Sequence, residues 1–201
     1  MKRLLPVILV LALSCAAGAT DIYNNLDANS SGVDAIFGFG PLADSFSTGA
    51  GGFTLASLGL KLEDIGAPTG SFTIQLMSDN NISPGSLLYT IATVQDTSLT
   101  GSLEDYFFTL AQPQVLNPNS RYWIELSSSN NSSAYWSYSV DVSGIGVAGE
   151  YFFNQSCNPN CSNDNGPYQM ELSDVPEPGT LLMLGSGAAG LLGVVRRRML
   201  V

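Results

Sequence analysis

The chain has 201 residues, a formal net charge of −10, three cysteines and no histidine. The missing histidine removes the usual general base, the commonest metal ligand and every Ser-His or Cys-His constellation. Five of the seven basic residues lie near the chain ends, so residues 20–174 hold only Lys61 and Arg121 against 16 acids, a formal charge of −14; such a body repels phosphates and excludes nucleic acid as a partner.

The N-terminus opens with Lys2 and Arg3, an apolar run over 4–13, and the small residues Ala17-Gly18-Ala19. This order predicts a secretory signal peptide over 1–19, cut by signal peptidase after Ala19, with Ala17 and Ala19 before the cut and Thr20 as the first mature residue. Cys15 raises the alternative of a lipidated cysteine. The preceding Ala12-Leu13-Ser14 fits that poorly, because the leucine stands one place off.

Residues 20–174 make one domain of ordinary size, long enough to bury a core. Residues 20–50 are rich in Gly, Ser and Asn, with a small apolar island at Ile36-Phe37-Gly38-Phe39, and predict one or two short strands. From Phe53 the period-two alternation of a half-buried strand becomes clear: Phe53-Thr54-Leu55 leads into Leu58-Gly59-Leu60-Lys61-Leu62. Phe72, Ile74 and Leu76 alternate with polar residues in a second strand, and residues 78–85 are turn formers. Further strands are predicted over 87–93, 106–110, 121–126, 136–142, 151–153 and 168–172, with a turn at Asn117-Pro118-Asn119-Ser120. No window carries the 3.6-residue period of an amphipathic helix. Many short strands between Gly, Pro and Asn turns predict an all-β fold, a jelly-roll-like antiparallel β-sandwich.

Three constellations in the body bear on function. Trp136 and Tyr138 share a strand face and form a candidate carbohydrate platform, the competing reading being that alternating aromatics fill the core. Cys157 and Cys161 sit among turn residues and, outside the cytoplasm, predict a disulfide closing a small loop. Two thiols without histidine are too few for a zinc site, so no metal is assigned. Glu63-Asp64 and Glu104-Asp105 are adjacent carboxylates, but neighbours on a strand point to opposite faces, which does not suit a catalytic pair. Several Asn-x-Ser triplets, among them Asn81-Ile82-Ser83 and Asn130-Asn131-Ser132, are of the kind a Ser/Asn-rich chain produces by chance.

The run FTLASLGLKLEDIGAPTGSFTIQLMSDNNISPGSLLYTI, followed by LNPNSRYWIEL, resembles the choice-of-anchor domains of secreted bacterial proteins, in particular the R type. The cues are Ser78-Asp79-Asn80, Ser83-Pro84-Gly85 and the stretch from Leu116 to Tyr122-Trp123. The resemblance implies an exported domain that occurs with alternative C-terminal anchoring signals. It carries over no active residues.

The last 27 residues read VPEPGTLLMLGSGAAGLLGVVRRRMLV. Val175-Pro176-Glu177-Pro178 is a rigid polar signal, residues 180–195 are uncharged, and Arg196, Arg197 and Arg198 follow. A helix over those 16 residues would reach about 24 Å at ~1.5 Å per residue, against a hydrocarbon core of about 30 Å. This is a marginal span, which snorkelling arginines and local thinning would help. The arginines and Lys2-Arg3 both belong on the cytoplasmic side, so the body lies across the membrane. Gly185-Ser186-Gly187-Ala188-Ala189-Gly190 fits a dinucleotide-binding pattern, but the chain ends before the acidic residue that motif requires. The small residues there suit close helix packing instead. Signal, apolar run and arginine cluster together resemble the PEP-CTERM sorting signal of exported bacterial proteins. That resemblance implies processing of the tail over 175–201 by an exosortase-type membrane enzyme. The sequence thus predicts a non-catalytic cell-surface or exopolysaccharide-associated protein without cofactors, with a carbohydrate-binding module as the alternative.

Overall fold

A computed structural model describes residues 20–66, 69–154 and 166–174. Several sequence expectations lie outside those residues: the signal peptide over 1–19, the Cys157 and Cys161 pair, Val175 to Pro178, the helix over 180–195, and Arg196 to Arg198. Among the described residues no helix is long and apolar enough to cross a membrane.

Among the described residues eleven strands form two antiparallel sheets. In chain order they are β1 (Asp21–Asn24), β2 (Gly32–Ala35), β3 (Leu42–Ser47), β4 (Phe53–Asp64), β5 (Ser71–Asp79), β6 (Pro84–Gln95), β7 (Glu104–Leu116), β8 (Arg121–Ser127), β9 (Ala134–Tyr138), β10 (Phe152–Asn154) and β11 (Met170–Asp174). The first sheet runs β1-β11-β4-β9-β2, with β7 also paired to β4; the second runs β10-β3-β8-β5-β6. Strand β4 organises the first sheet. Leu60 pairs with Met170 of β11 on one side and Tyr106 of β7 on the other, and two residues later Leu62 pairs with Trp136 of β9 and Glu104 of β7. Strands β11 and β9 therefore follow one another along one edge of β4, while β7 lines the other.

The alternating residues account for the sandwich. Leu55, Leu58, Leu60 and Leu62 from β4 meet Phe72, Ile74 and Leu76 from β5 and Ile124 and Leu126 from β8 in one buried cluster. Every one of these side chains is at most 1 % exposed. At roughly 1.5–3 kcal/mol for each fully buried large apolar side chain, this shared cluster is the main favourable term holding the two sheets together. The body forms one compact unit over 21–175.

The strands differ from the expectation in four places. Residues 20–50 hold three strands, and the island Ile36-Phe37-Gly38-Phe39 is a distorted helical turn. Gly38 there takes φ 127°, a conformation open to glycine, so the island buries Ile36 and leaves Phe37 and Phe39 exposed. Half of the turn-forming stretch 78–85 is strand, because the reversal needs only residues 80–83: Asn80 N–H bonds the Ser83 carbonyl at 3.0 Å and Asn81 takes φ 69°. Strand β7 runs to 13 residues, carried past the apolar 106–110 by backbone pairing with β4. The alternation over 136–142 breaks at Tyr138. Ser139 N–H bonds the Pro167 carbonyl, its hydroxyl bonds the Asn29 carbonyl, and Val140 and Val142 stand in solvent.

Candidate functional site

The proposed aromatic platform is core. Trp136 is fully buried, its ring stacked on Tyr168 with centroids 4.5 Å apart, and its indole Nε1–H donates to the Gln169 carbonyl at 2.9 Å. Tyr138 is half-buried beside it. Trp123 is fully buried too, its Nε1–H donating to Asp79 Oδ1 at 2.8 Å, and Tyr122 is buried with its hydroxyl accepting from Asn117 N–H at 3.0 Å. Trp136 and Tyr138 were expected to share a face, and they do, but that face turns inward. A sugar cannot stack on the Trp136 ring, which protein already covers.

One member of each adjacent carboxylate pair has a structural partner. Asp64 is buried at the end of β4 and accepts Gly66 N–H at 3.0 Å, while Asp105 on β7 lies 3.4 Å from Lys61 across the strand pair. The other body cation, Arg121, is held by Glu150 at 3.0 Å and lies 4.5 Å above the Tyr151 ring. Among the described residues no three Asp, Glu or Cys side chains gather as a metal site.

Three buried polar groups were not singled out from the sequence. Asp96 is fully buried and ties two other loops to its own: its carboxylate accepts Gly70 N–H at 3.0 Å, Ser132 Oγ–H at 2.7 Å and Ser133 N–H at 3.0 Å. Gln169 is fully buried, its amide donating to the carbonyls of Asn25 and Ala28 and accepting the Ser137 hydroxyl at 2.6 Å. This stitches the loop after β1 to the approach of β11. Asp44 is the third. It shares a face of β3 with Leu42 and Phe46 and so points into the core. Tyr23 Oη–H donates to Asp44 Oδ2 at 3.2 Å, and Oδ1 has no hydrogen-bond partner among the described residues. Burial pushes the Asp44 carboxyl well above the usual carboxylate range; the Tyr23 hydroxyl and the N–H groups of Tyr168 and Ser45 offset part of this, and Glu150 adds to it. Burial, and then the Asp44 charge, push Tyr23 up as well. The signal for Asp44 was legible: one acid on the apolar face of an alternating strand.

An open cleft of about 680 Å³ lies near the turn at 117–120, beside residues of β5, β6 and β7. Ser78, Asp79, Gln114 and Asn117 give it a polar lining, and Leu88 and Val115 an aliphatic wall. No pair of acids faces across it.

Comparison with known proteins places the clearest functional signal beyond these strands. Residues 174–198 match the PEP-CTERM protein-sorting motif, beginning at Asp174, the last residue of β11. No curated protein matches the chain.

Proposed function

We propose that this PEP-CTERM-bearing chain is a non-catalytic surface or matrix protein whose β-sandwich is the cargo and whose tail is the address. The single observation that carries the reading is the sorting motif at 174–198, which starts where the folded body ends. The motif implies export, anchoring at the C-terminus and processing by an exosortase-type enzyme. Proline fixes φ and biases the preceding residue away from helix, so Val175 and Glu177 would be presented in an extended segment between the body and the apolar run 180–195. A rigid segment can be bound at small entropic cost.

The sandwich suits a displayed role. We infer a jelly-roll arrangement, since β1-β11-β4-β7 in one sheet and β3-β8-β5-β6 in the other have the strand order of that fold, with β2, β9 and β10 added at the margins. Asp105 meets Lys61 and Asp64 holds a turn, which supports a body without a catalytic pair at these positions. An exopolysaccharide layer is the destination we favour, since the body's charge of −14 keeps it soluble outside the cell. Signal peptidase would remove 1–19, and Cys157 and Cys161 would pair in the oxidising compartment.

Fractionation of the native host tests the reading. Wild-type protein is expected at the surface or in the matrix, shortened at its C-terminus. Glu177→Ala is expected to be exported but to accumulate uncut in the membrane. Normal maturation of Glu177→Ala would remove the support for an enzyme that reads the Pro-Glu-Pro.

A further inference from the structure

We propose that Asn29 and Asn81 are N-glycosylation acceptors of the exported protein. The chain contains six Asn-x-Ser triplets, starting at Asn29, Asn81, Asn130, Asn131, Asn154 and Asn160. Such a triplet is an acceptor only where the amide and the hydroxyl two residues later can enter a transferase together. The structure separates the triplets by that requirement.

Asn130 is committed, its Oδ1 accepting Ser71 N–H at 3.0 Å and its Nδ2 donating to Ser71 Oγ at 3.1 Å. Its serine, Ser132, is buried and gives its hydroxyl to Asp96. The serine that serves Asn131 is Ser133, whose N–H and hydroxyl both meet the same carboxylate. Asn154 is buried and donates to Asp34 at 3.2 Å. The triplet at Asn160 lies outside the described residues.

Asn29 and Asn81 differ from these. Both stand on exposed loops, and no hydrogen bond holds either side-chain amide among the described residues. Asn81 is at the tip of the β5–β6 hairpin in the left-handed region, φ 69°, next to exposed Ile82. The Ser83 hydroxyl bonds within its own turn and in solvent, donating to the Asn80 carbonyl at 3.2 Å and accepting from Asn80 Nδ2 at 3.5 Å. Ser31 follows Asn29 in the loop before β2 and is exposed, its Oγ accepting Val140 N–H, which leaves the hydroxyl proton available.

A second, independent feature picks out the same two. Asp27 stands two residues before Asn29, and Asp79 two residues before Asn81. The corresponding positions before the other four are Ser128, Ser129, Phe152 and Asn158. A carboxylate at that offset, with a hydroxyl at the other side of the asparagine, gives an enzyme a charge to pair with and a hydroxyl to fix the register. Both acids are exposed; Asp79 gives Oδ1 to Trp123, which leaves Oδ2 toward solvent.

The reaction needs a donor from the exporting membrane, an oligosaccharide on a polyprenyl diphosphate, and a membrane-bound oligosaccharyl transferase. Asparagine Nδ2 forms the bond to C1 of the first sugar. The bond from C1 to the diphosphate oxygen breaks, the lipid diphosphate leaves with the electron pair, and the nitrogen gives up one proton. Export places the loops on the side where such transfer occurs. Glycans at the two loops would extend the polar surface of a displayed protein.

Peptide mapping by mass spectrometry of the protein exported by its native host is the test. Wild type is expected to carry a glycan mass on the peptides containing Asn29 and Asn81. Ser83→Ala should lose the mass at Asn81 alone, Ser83→Thr should keep it, and Asp27→Asn should lose the mass at Asn29 alone. A mostly-β far-ultraviolet spectrum for each variant separates lost transfer from lost folding. Unmodified Asn29 and Asn81 peptides in wild type, glycan on Asn130 or Asn131 instead, or full occupancy in Ser83→Ala and Asp27→Asn would each overturn the proposal.

Discussion

Asp44 makes the folded body sensitive to pH in a direction that the structure fixes. Its carboxyl is buried between Tyr23 and the core with one oxygen unpartnered, and burial raises its pKa well above the unfolded value. Between the unfolded carboxylate value of about 3.9 and the raised folded value, the folded chain holds a proton there that the unfolded chain has released. Unfolding stability therefore falls as pH rises, by about 1.36 kcal/mol per pH unit from this one group, and is greatest below about pH 4. Asp44→Asn keeps the shape and the acceptor for Tyr23 but cannot ionise. The assay is urea unfolding of wild type and Asp44→Asn from pH 4 to pH 7, with stability taken from midpoint and slope. The difference between the two proteins isolates Asp44, because the other acids titrate in both. Asp141, whose hydrogen bonds from Ser143 lower its pKa, acts in the opposite direction and cancels. The expected result is that the variant gains on wild type by about 1.36 kcal/mol for each unit of pH through the lower part of that range. Parallel curves would refute the reasoning and mean that Asp44 is already ionised in the folded protein across that range.

Other expectations follow from the same structure. Asp96→Ala leaves the Gly70 and Ser133 N–H groups and the Ser132 hydroxyl without their acceptor, and should cost about 3 kcal/mol or more in chemical unfolding. Gly166→Ala should cost about 2 kcal/mol or more, because Gly166 has φ +101° and a Cβ there would collide with the Ser139 carbonyl oxygen; Gly49→Ala, with open space around it, serves as the tolerated control. Cys157 and Cys161 are expected to be oxidised, so a thiol assay on the unfolded mature protein should find no reactive thiol.

The strands were legible where one face is buried and the other is wet. Leu58, Leu60 and Leu62 on β4 and Phe72, Ile74 and Leu76 on β5 announce both strand and core from their spacing alone. Backbone pairing that needs no apolar residue was not legible. The second half of β7, with Pro113 and an 84 % exposed Val115, is strand because β4 lies beside it. Alternation also misled at Val140 and Val142, where hydrogen bonds to Ser139 end the strand before the apolar residues could be buried. For the site, the sequence marked the right aromatics but not their direction. Period two places Trp136 and Tyr138 on one face, and only the partner sheet decides whether that face is core. Asp96 was hidden for the opposite reason: an acid in a polar turn reads as solvated, and its three partners come from loops at 70 and 132–133. The sorting tail needed no fold at all, since its proline pair, apolar run and arginines are contiguous in the chain.

The central claim is that the tail is an address removed on delivery, leaving the β-sandwich outside. Intact-mass measurement of the mature protein from its native host tests it most directly. The account predicts a chain without residues 1–19 and without the apolar run 180–195 and Arg196 to Arg198. A mass that retains the whole of 175–201 on protein at the cell surface would contradict it and make the tail a permanent anchor.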